Sequence, residues 1–403
     1  MPEQDSDAGP AQRSDGDDHD DHGHDHDDHG EGTDEDGERL ELECGFPDKC
    51  SGCSIKGIQR NGEMTAEEQA FVRMNLANKL HLSVRQNDVE KLEGVLAAGA
   101  EVNYPDGFQC TALWLAVRHN HTACLEALLN INGVDVNLPD KYGSSPVFIA
   151  ARENFIDALR MLVHARADLD APDKRERESP VYTAAKRNNA DVLRVLIESG
   201  ADIHATDKRK QSPVFAAASM NSTAALKVLI ADGEACRACY IGVCRIIDGT
   251  VKCDLCSMGV RSPAQMNVSN VDGQSPVFVA AKHDCADALR FLISAGADIT
   301  AADFHGRSPL FAAAEEGSVG ALKELLEAGA PFDVADERGR SPLYVAAAAN
   351  RGSVVEDLIH AKADVDLADE DGKTPLWIAG ASKAFDALKV LISAGAEINS
   401  QVK

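Results

Sequence analysis

Four cysteines stand out by type and spacing: Cys236 and Cys239, then Cys253 and Cys256, two CxxC pairs thirteen residues apart. Thiolates so arranged can close a tetrahedral zinc site, each pair supplying two ligands from one tight turn. Four thiolates leave no open coordination position, so the zinc expected here is structural, not catalytic. Two disulfides or free thiols are the alternatives, and disulfides would need an oxidising compartment. Cys244 lies between the pairs as a spare thiol that could compete as a ligand. A weaker cluster, Cys44, Cys50 and Cys53, lacks an evident fourth ligand; His81 is conceivable but reads as structural.

The charged residues offer other chemistry. Residues 1–43 hold 18 acidic and 2 basic residues, net −16 of the chain's −26, and include His19, His22, His24, His26 and His29. Imidazole and carboxylate at this density can bind divalent ions in a fluxional way and titrate near neutrality. With so little apolar material the stretch reads as a disordered, solvated tail. Its charge argues against nucleic acid or anionic membrane as its partner.

Opposed to it are two basic runs, Lys174, Arg175 and Arg177, then Lys208, Arg209 and Lys210, a trend that Arg307, Arg338 and Arg340 continue. Such runs are either solvated surface or a site for an acidic peptide, a phosphorylated segment or the protein's own tail. Catalytic chemistry finds no footing: there is no phosphate-cradling glycine loop and no Ser/His/Asp or Cys/His motif, and His119 and His164 read as surface residues.

Elements that position these residues follow from a repeat. The motifs SPVFIAA, SPVYTAA, SPVFAAA, SPVFVAA, SPLFAAA, SPLYVAA and TPLWIAG put prolines at 146, 180, 213, 276, 309, 342 and 375, with steps of 34, 33, 63, 33, 33 and 33. A divergent copy, TALWLAV, places Ala112 in the proline slot, and LHLSVRQ around His81 begins one more. Twenty residues after most prolines stands a glycine (Gly200, Gly233, Gly296, Gly329, Gly395), suited to a left-handed helix end. Between the marks, small and apolar residues recur at helical spacing, as in Ala313, Val319, Leu322, Leu325 and Leu326. Each unit reads as turn, helix, short loop, helix and extended finger.

This pattern resembles the ankyrin repeat over roughly residues 76 to 400. The resemblance implies a mainly α solenoid of about nine helix-turn-helix repeats, with Ser145, Ser179, Ser212, Ser275, Ser308, Ser341 and Thr374 capping first helices and proline at the first helical position. Where the family usually has histidine, this chain has Trp114, Phe148, Tyr182, Phe215, Phe278, Phe311, Tyr344 and Trp377, expected to form a packing ladder. The family binds partners on a concave face of fingers and first helices.

The 63-residue step carries thirty extra residues, Glu234 to Pro263, and these hold the CxxC pairs. Between the pairs, YIGVCRII and TVKC are strand-like runs joined by Asp248-Gly249, a hairpin signal, and the whole resembles a zinc ribbon. An insert this short has too little core to fold without a staple.

The expected organisation is a tail (1–43), a Cys-containing segment with a capping helix carrying Phe71, Val72 and Met74 (44–75), repeats 1–5 (76–233), the insert (234–263), and the end of repeat 5 with repeats 6–9 (264–403). The expected function is a monomeric protein-binding scaffold, intracellular in cytoplasm or nucleus, with other proteins as partners and no enzyme activity. Zinc binding or buffering by the tail and cysteine clusters is the alternative. No run of about 18 apolar residues could span a bilayer.

Overall fold

The computed structural model describes residues 65–231, 245–247, 250–252 and 266–398. The chain divides into Met1–Glu63 and Met64–Lys403, and the description below concerns the second unit. Among the described residues there are eighteen helices in nine pairs. The first helices are α1 (Ala66–Arg85), α3 (Ala112–Arg118), α5 (Pro146–Arg152), α7 (Pro180–Lys186), α9 (Pro213–Ser219), α11 (Pro276–Lys282), α13 (Pro309–Glu316), α15 (Pro342–Ala348) and α17 (Pro375–Ala381). The second helices are α2 (Val89–Ala97), α4 (Thr122–Leu129), α6 (Ile156–His164), α8 (Ala190–Glu198), α10 (Thr223–Ala231), α12 (Ala286–Ser294), α14 (Val319–Glu327), α16 (Gly352–His360) and α18 (Phe385–Ser393). Each first helix packs on the next first helix, which makes the array a nine-repeat solenoid.

Local chemistry starts the first helices from α3 onward where the sequence signals it. In every first helix from α3 to α17 the serine or threonine before it accepts from the backbone N–H three residues on, as Ser308 Oγ does from Phe311 at 3.1 Å. The aromatic ladder is core. Phe278 and Phe311 are fully buried, and Trp114 donates its indole N–H to Ser144 O of the next repeat at 2.9 Å. Trp377 occupies the same slot in the last repeat, where no described repeat follows, and is 40% exposed. The difference shows that the ladder is buried by its neighbour, repeat on repeat.

One feature departs from the expectations. Thr65 and Glu68 form a capping box at the start of α1, but no separate capping helix stands before the array: α1 runs unbroken into repeat 1, and Phe71 and Met74 are exposed on it. Burial begins only at Leu76 and Ala77. His81 is structural, as its place in the repeat suggests. It is buried, with Nε2 3.1 Å from Tyr104 O, and burial holds its pKa below the usual imidazole value.

The solenoid closes across the thirty-residue insert. Asn221 Oδ1 accepts from Ala288 N at 2.9 Å, the same contact that Asn188 Oδ1 makes with Ala225 N at 3.0 Å one repeat earlier. Cys285 Sγ donates to Ser219 O at 3.4 Å, and α9 packs on α11 as any other neighbours do. Within the insert, β1 (Arg245–Ile247) and β2 (Thr250–Lys252) pair antiparallel, Arg245 with Lys252 and Ile247 with Thr250. That register is the hairpin expected around Asp248 and Gly249. Cys236, Cys239, Cys244, Cys253 and Cys256 lie outside the described residues, as do the tail and Cys44, Cys50 and Cys53.

Candidate protein-binding surface

Every finger is built around one side chain. Asp106, Asp140, Asp173, Asp207, Asn270, Asp303, Asp336 and Asp369 each use Oδ1 to accept two backbone N–H groups of their own turn, for example Asp207 from Arg209 at 2.9 Å and Gln211 at 2.7 Å. One backbone bond then ties each finger to the next: Lys141 N to Phe108 O, Lys174 N to Tyr142 O, Lys208 N to Glu176 O and Val271 N to Arg209 O, at 2.8–3.0 Å. The residues between turn and cap are thereby set side by side along one edge, at the roughly 8–10 Å spacing of packed helices.

On this edge the two basic runs meet. Lys174, Arg175 and Arg177 of finger 4 and Lys208, Arg209 and Lys210 of finger 5 are all exposed. Lys208 Nζ lies 2.6 Å from Glu176 Oε1, whereas the other five have no carboxylate within 4 Å among the described residues. The Arg175 guanidinium lies over the Tyr142 ring, 3.8 Å from its centroid. Lys141 Nζ sits 4.2 Å from the Phe108 centroid and 4.8 Å from that of Tyr142. Phe108, Lys141, Tyr142 and Arg175 thus form one cation–aromatic stack across fingers 2 to 4. Lys141 and this stack were not among the residues singled out from the sequence. Repeat arithmetic holds the signal, since Arg175 is 33 residues after Tyr142.

The trend through Arg307 and Arg340 is corrected. Arg307 turns back onto Asp303 Oδ2 at 2.8 Å and reaches Glu315 at 3.3 Å, and Arg340 turns onto Asp336 Oδ2 at 2.6 Å. The carboxylates of Asp303 and Asp336 are almost wholly buried, so these arginines neutralise the fingers that carry them. In fingers 4 and 5 the arginine's slot holds Glu178 and Gln211, and the cations there stay outward. Arg338 is exposed and lines a shallow hollow with His305 and Glu337.

Behind the basic edge lies a partly buried polar cluster. Tyr182 Oη donates to Gln211 Oε1 at 3.0 Å and to Asp207 Oδ2 at 3.3 Å, and Lys186 Nζ pairs with Glu178 Oε1 at 3.0 Å. Burial raises the pKa of Glu178, against the pull of Lys186; burial likewise raises Asp207, against its backbone hydrogen bonds, and pushes Tyr182 far above the ordinary phenol value. Among the described residues no group of three or more His, Cys, Asp and Glu is arranged to hold a metal ion, and no helix is long and apolar enough to cross a membrane.

A family model described as ankyrin repeats in three copies matches residues 80–173, 236–336 and 313–402, and a second, described as ankyrin repeats in many copies, matches 181–230. The chain belongs to the ankyrin-repeat family. Its array is similar to the crystal structure of the ankyrin repeat domain of Bcl-3, "a unique member of the IkappaB protein family", at 25% identity and a TM-score of 0.47, covering 61% of this chain and 99% of that one. No curated protein matches. In ankyrin terms, the basic edge is the fingertip row of repeats 3 to 5.

Proposed function

We propose that this protein is a non-enzymatic, monomeric scaffold that binds partner proteins on the fingers and first helices of its ankyrin array, with repeats 3 to 5 taking an acidic or phosphorylated segment. One observation carries the reading: five exposed cations stand on two adjacent fingers with no carboxylate within 4 Å among the described residues, while the arginines of fingers 7 and 8 are neutralised from within. Solvated cations on separate fingers repel one another weakly. A shared anionic ligand turns that repulsion into attraction, with charge-assisted hydrogen bonds to guanidinium forks. The family supports protein as the ligand class.

The same reading gives the insert a structural zinc held by Cys236, Cys239, Cys253 and Cys256. Because the solenoid closes without the insert, residues 234–263 must stabilise themselves, and the β1–β2 hairpin is the small framework that a thiolate-bound zinc would staple. Cys253 directly follows β2 in sequence. A site of zinc thiolates would suit a reducing compartment, cytoplasm or nucleus.

Fluorescence anisotropy with a labelled oligoglutamate peptide and the full chain tests the binding reading. Micromolar binding that weakens with salt and is lost in the combined Arg175→Ala, Arg209→Ala, Lys210→Ala variant supports it. Equal binding by that variant would remove the ridge from the account.

A further inference from the structure

The geometry points to a phosphoryl-binding site on fingers 4 and 5, centred on Arg175, that selects a phosphorylated protein segment over one that is merely acidic. This rests on the reading of the finger ridge as an anion-binding face and adds the chemistry that the ridge recognises.

Arg175 is the anchor. Its guanidinium lies on the Tyr142 ring at 3.8 Å, which fixes the plane of the fork while its N–H groups make no hydrogen bond to any described residue. Tyr142 belongs to finger 3, and its backbone carbonyl accepts the Lys174 N–H of finger 4 at 2.9 Å. A planar fork held in place loses little entropy on binding, and its parallel donors match two oxygens of one oxyanion.

Around this anchor the negative charge has been removed. Glu176 sits between Arg175 and Arg177 and would oppose any anion, but Lys208 holds it at 2.6 Å while the backbone of the two residues is joined at 2.8 Å. The pair neutralises Glu176 and pins finger 5 to finger 4 in one place. Lys174, Arg175, Arg177, Arg209 and Lys210 then surround a neutral pair.

Arg177 and Lys210 add an independent mark. They occupy the finger slot that is Gly143, Gly273, Gly306, Gly339 and Gly372 in the other repeats, with left-handed φ of 59° and 60°. A Cβ at Gly143 would meet the Lys174 backbone N at 2.7 Å, so this slot is built for glycine. In these two fingers the chain tolerates strain to carry a cation. Gln109 has the same slot in finger 2, and Arg166 and Lys362 do likewise at helix ends, so only fingers 4 and 5 combine the conformation with a cluster of cations.

The charge is compact. Finger 6 (Asn270 to Gln274) carries Asp272 and no cation, and finger 3 has only Lys141, so the cationic stretch spans about two repeat spacings. A nucleic-acid strand would call for a longer basic stripe. One phosphoryl group, with a charge of about −1.5 to −2 and three acceptor oxygens, meets several donors in the space of one residue, which a single carboxylate cannot do.

The test uses the full chain and four labelled probes: a neutral Ala/Gly decapeptide bearing one phosphoserine, its glutamate twin, its serine twin, and a ten-nucleotide oligothymidylate. Binding of the phosphopeptide about tenfold tighter than the glutamate twin is expected. Arg175→Lys, which keeps the charge and loses the stacked fork, should weaken the phosphopeptide about fivefold and the glutamate twin less than about twofold. Glu176→Gln should tighten the phosphopeptide, by deleting the carboxylate that Lys208 masks. Equal affinity for phosphopeptide and glutamate twin would overturn phosphoryl selection and leave the acidic-segment reading standing. Tighter oligothymidylate binding would overturn it in favour of nucleic acid, unchanged or weaker phosphopeptide binding by Glu176→Gln would remove the masked-carboxylate site, and no binding of either anionic peptide would sink both readings.

Discussion

Lys210→Gly should make the protein more stable and its ligand binding weaker. Lys210 sits at φ 60° in a finger of the same length as those with glycine there. A side chain in the left-handed region costs about 1–2 kcal/mol, while glycine's extra freedom in the unfolded chain costs about 0.5–1 kcal/mol. The difference is a gain of about 0.5–1 kcal/mol, and removing one of three adjacent cations, Lys208 to Lys210, acts in the same direction. Urea denaturation of the full chain, followed by circular dichroism, would show a higher midpoint. The same variant should bind an oligoglutamate peptide several-fold more weakly. A lower midpoint would refute the strain argument; unchanged binding would refute the purpose assigned to the strain.

Further outcomes follow from the packing and the charges. Phe311→Ala removes a fully buried ring between two repeats and should cost about 3–5 kcal/mol in the urea titration, whereas Trp377→Ala, in the same slot but 40% exposed, should cost less than half as much. Deleting residues 234–263 should leave the helical signal and the unfolding midpoint nearly unchanged, because the Asn221–Ala288 and Ser219–Cys285 contacts close the stack without them; loss of cooperative unfolding would contradict this. Burial raises the folded-state pKa of Glu178 and Asp207, so their contribution is most favourable below the unfolded carboxylate pKa and is lost as pH rises through their raised values. Asp207→Asn should therefore flatten that part of the stability–pH curve, and Asn270 already fills the equivalent slot in finger 6. Metal analysis by mass spectrometry should find one zinc per chain, absent from Cys253→Ser.

Much of this architecture is legible because it is repeated. The proline period, the serine caps and the aromatic slot each depend on interactions within a repeat or with its neighbour, and a 33-residue period shows such interactions many times. The hairpin strands β1 and β2 are local and follow from alternation around Asp248-Gly249. What escaped was the sorting of cations. Arg307 and Arg340 look as free in sequence as Arg175, and differ because each stands two residues before its repeat's proline and reaches back to a buried aspartate; in fingers 4 and 5 that position is Glu178 and Gln211. The Tyr142–Arg175 stack joins residues a full repeat apart, so it shows only once fingers are aligned on one another. The continuity of α1 escaped as well, since a capping box marks where a helix begins and not where the repeat does.

Hydrogen–deuterium exchange of the full chain with and without an oligoglutamate peptide tests the central claim most directly. The account predicts ligand-dependent protection in the fingers of repeats 3 to 5, at residues 141–144, 174–178 and 208–211, with little change in fingers 7 to 9. Protection confined to fingers 7 to 9 or to residues 234–263, with the basic fingers unaffected, would contradict it.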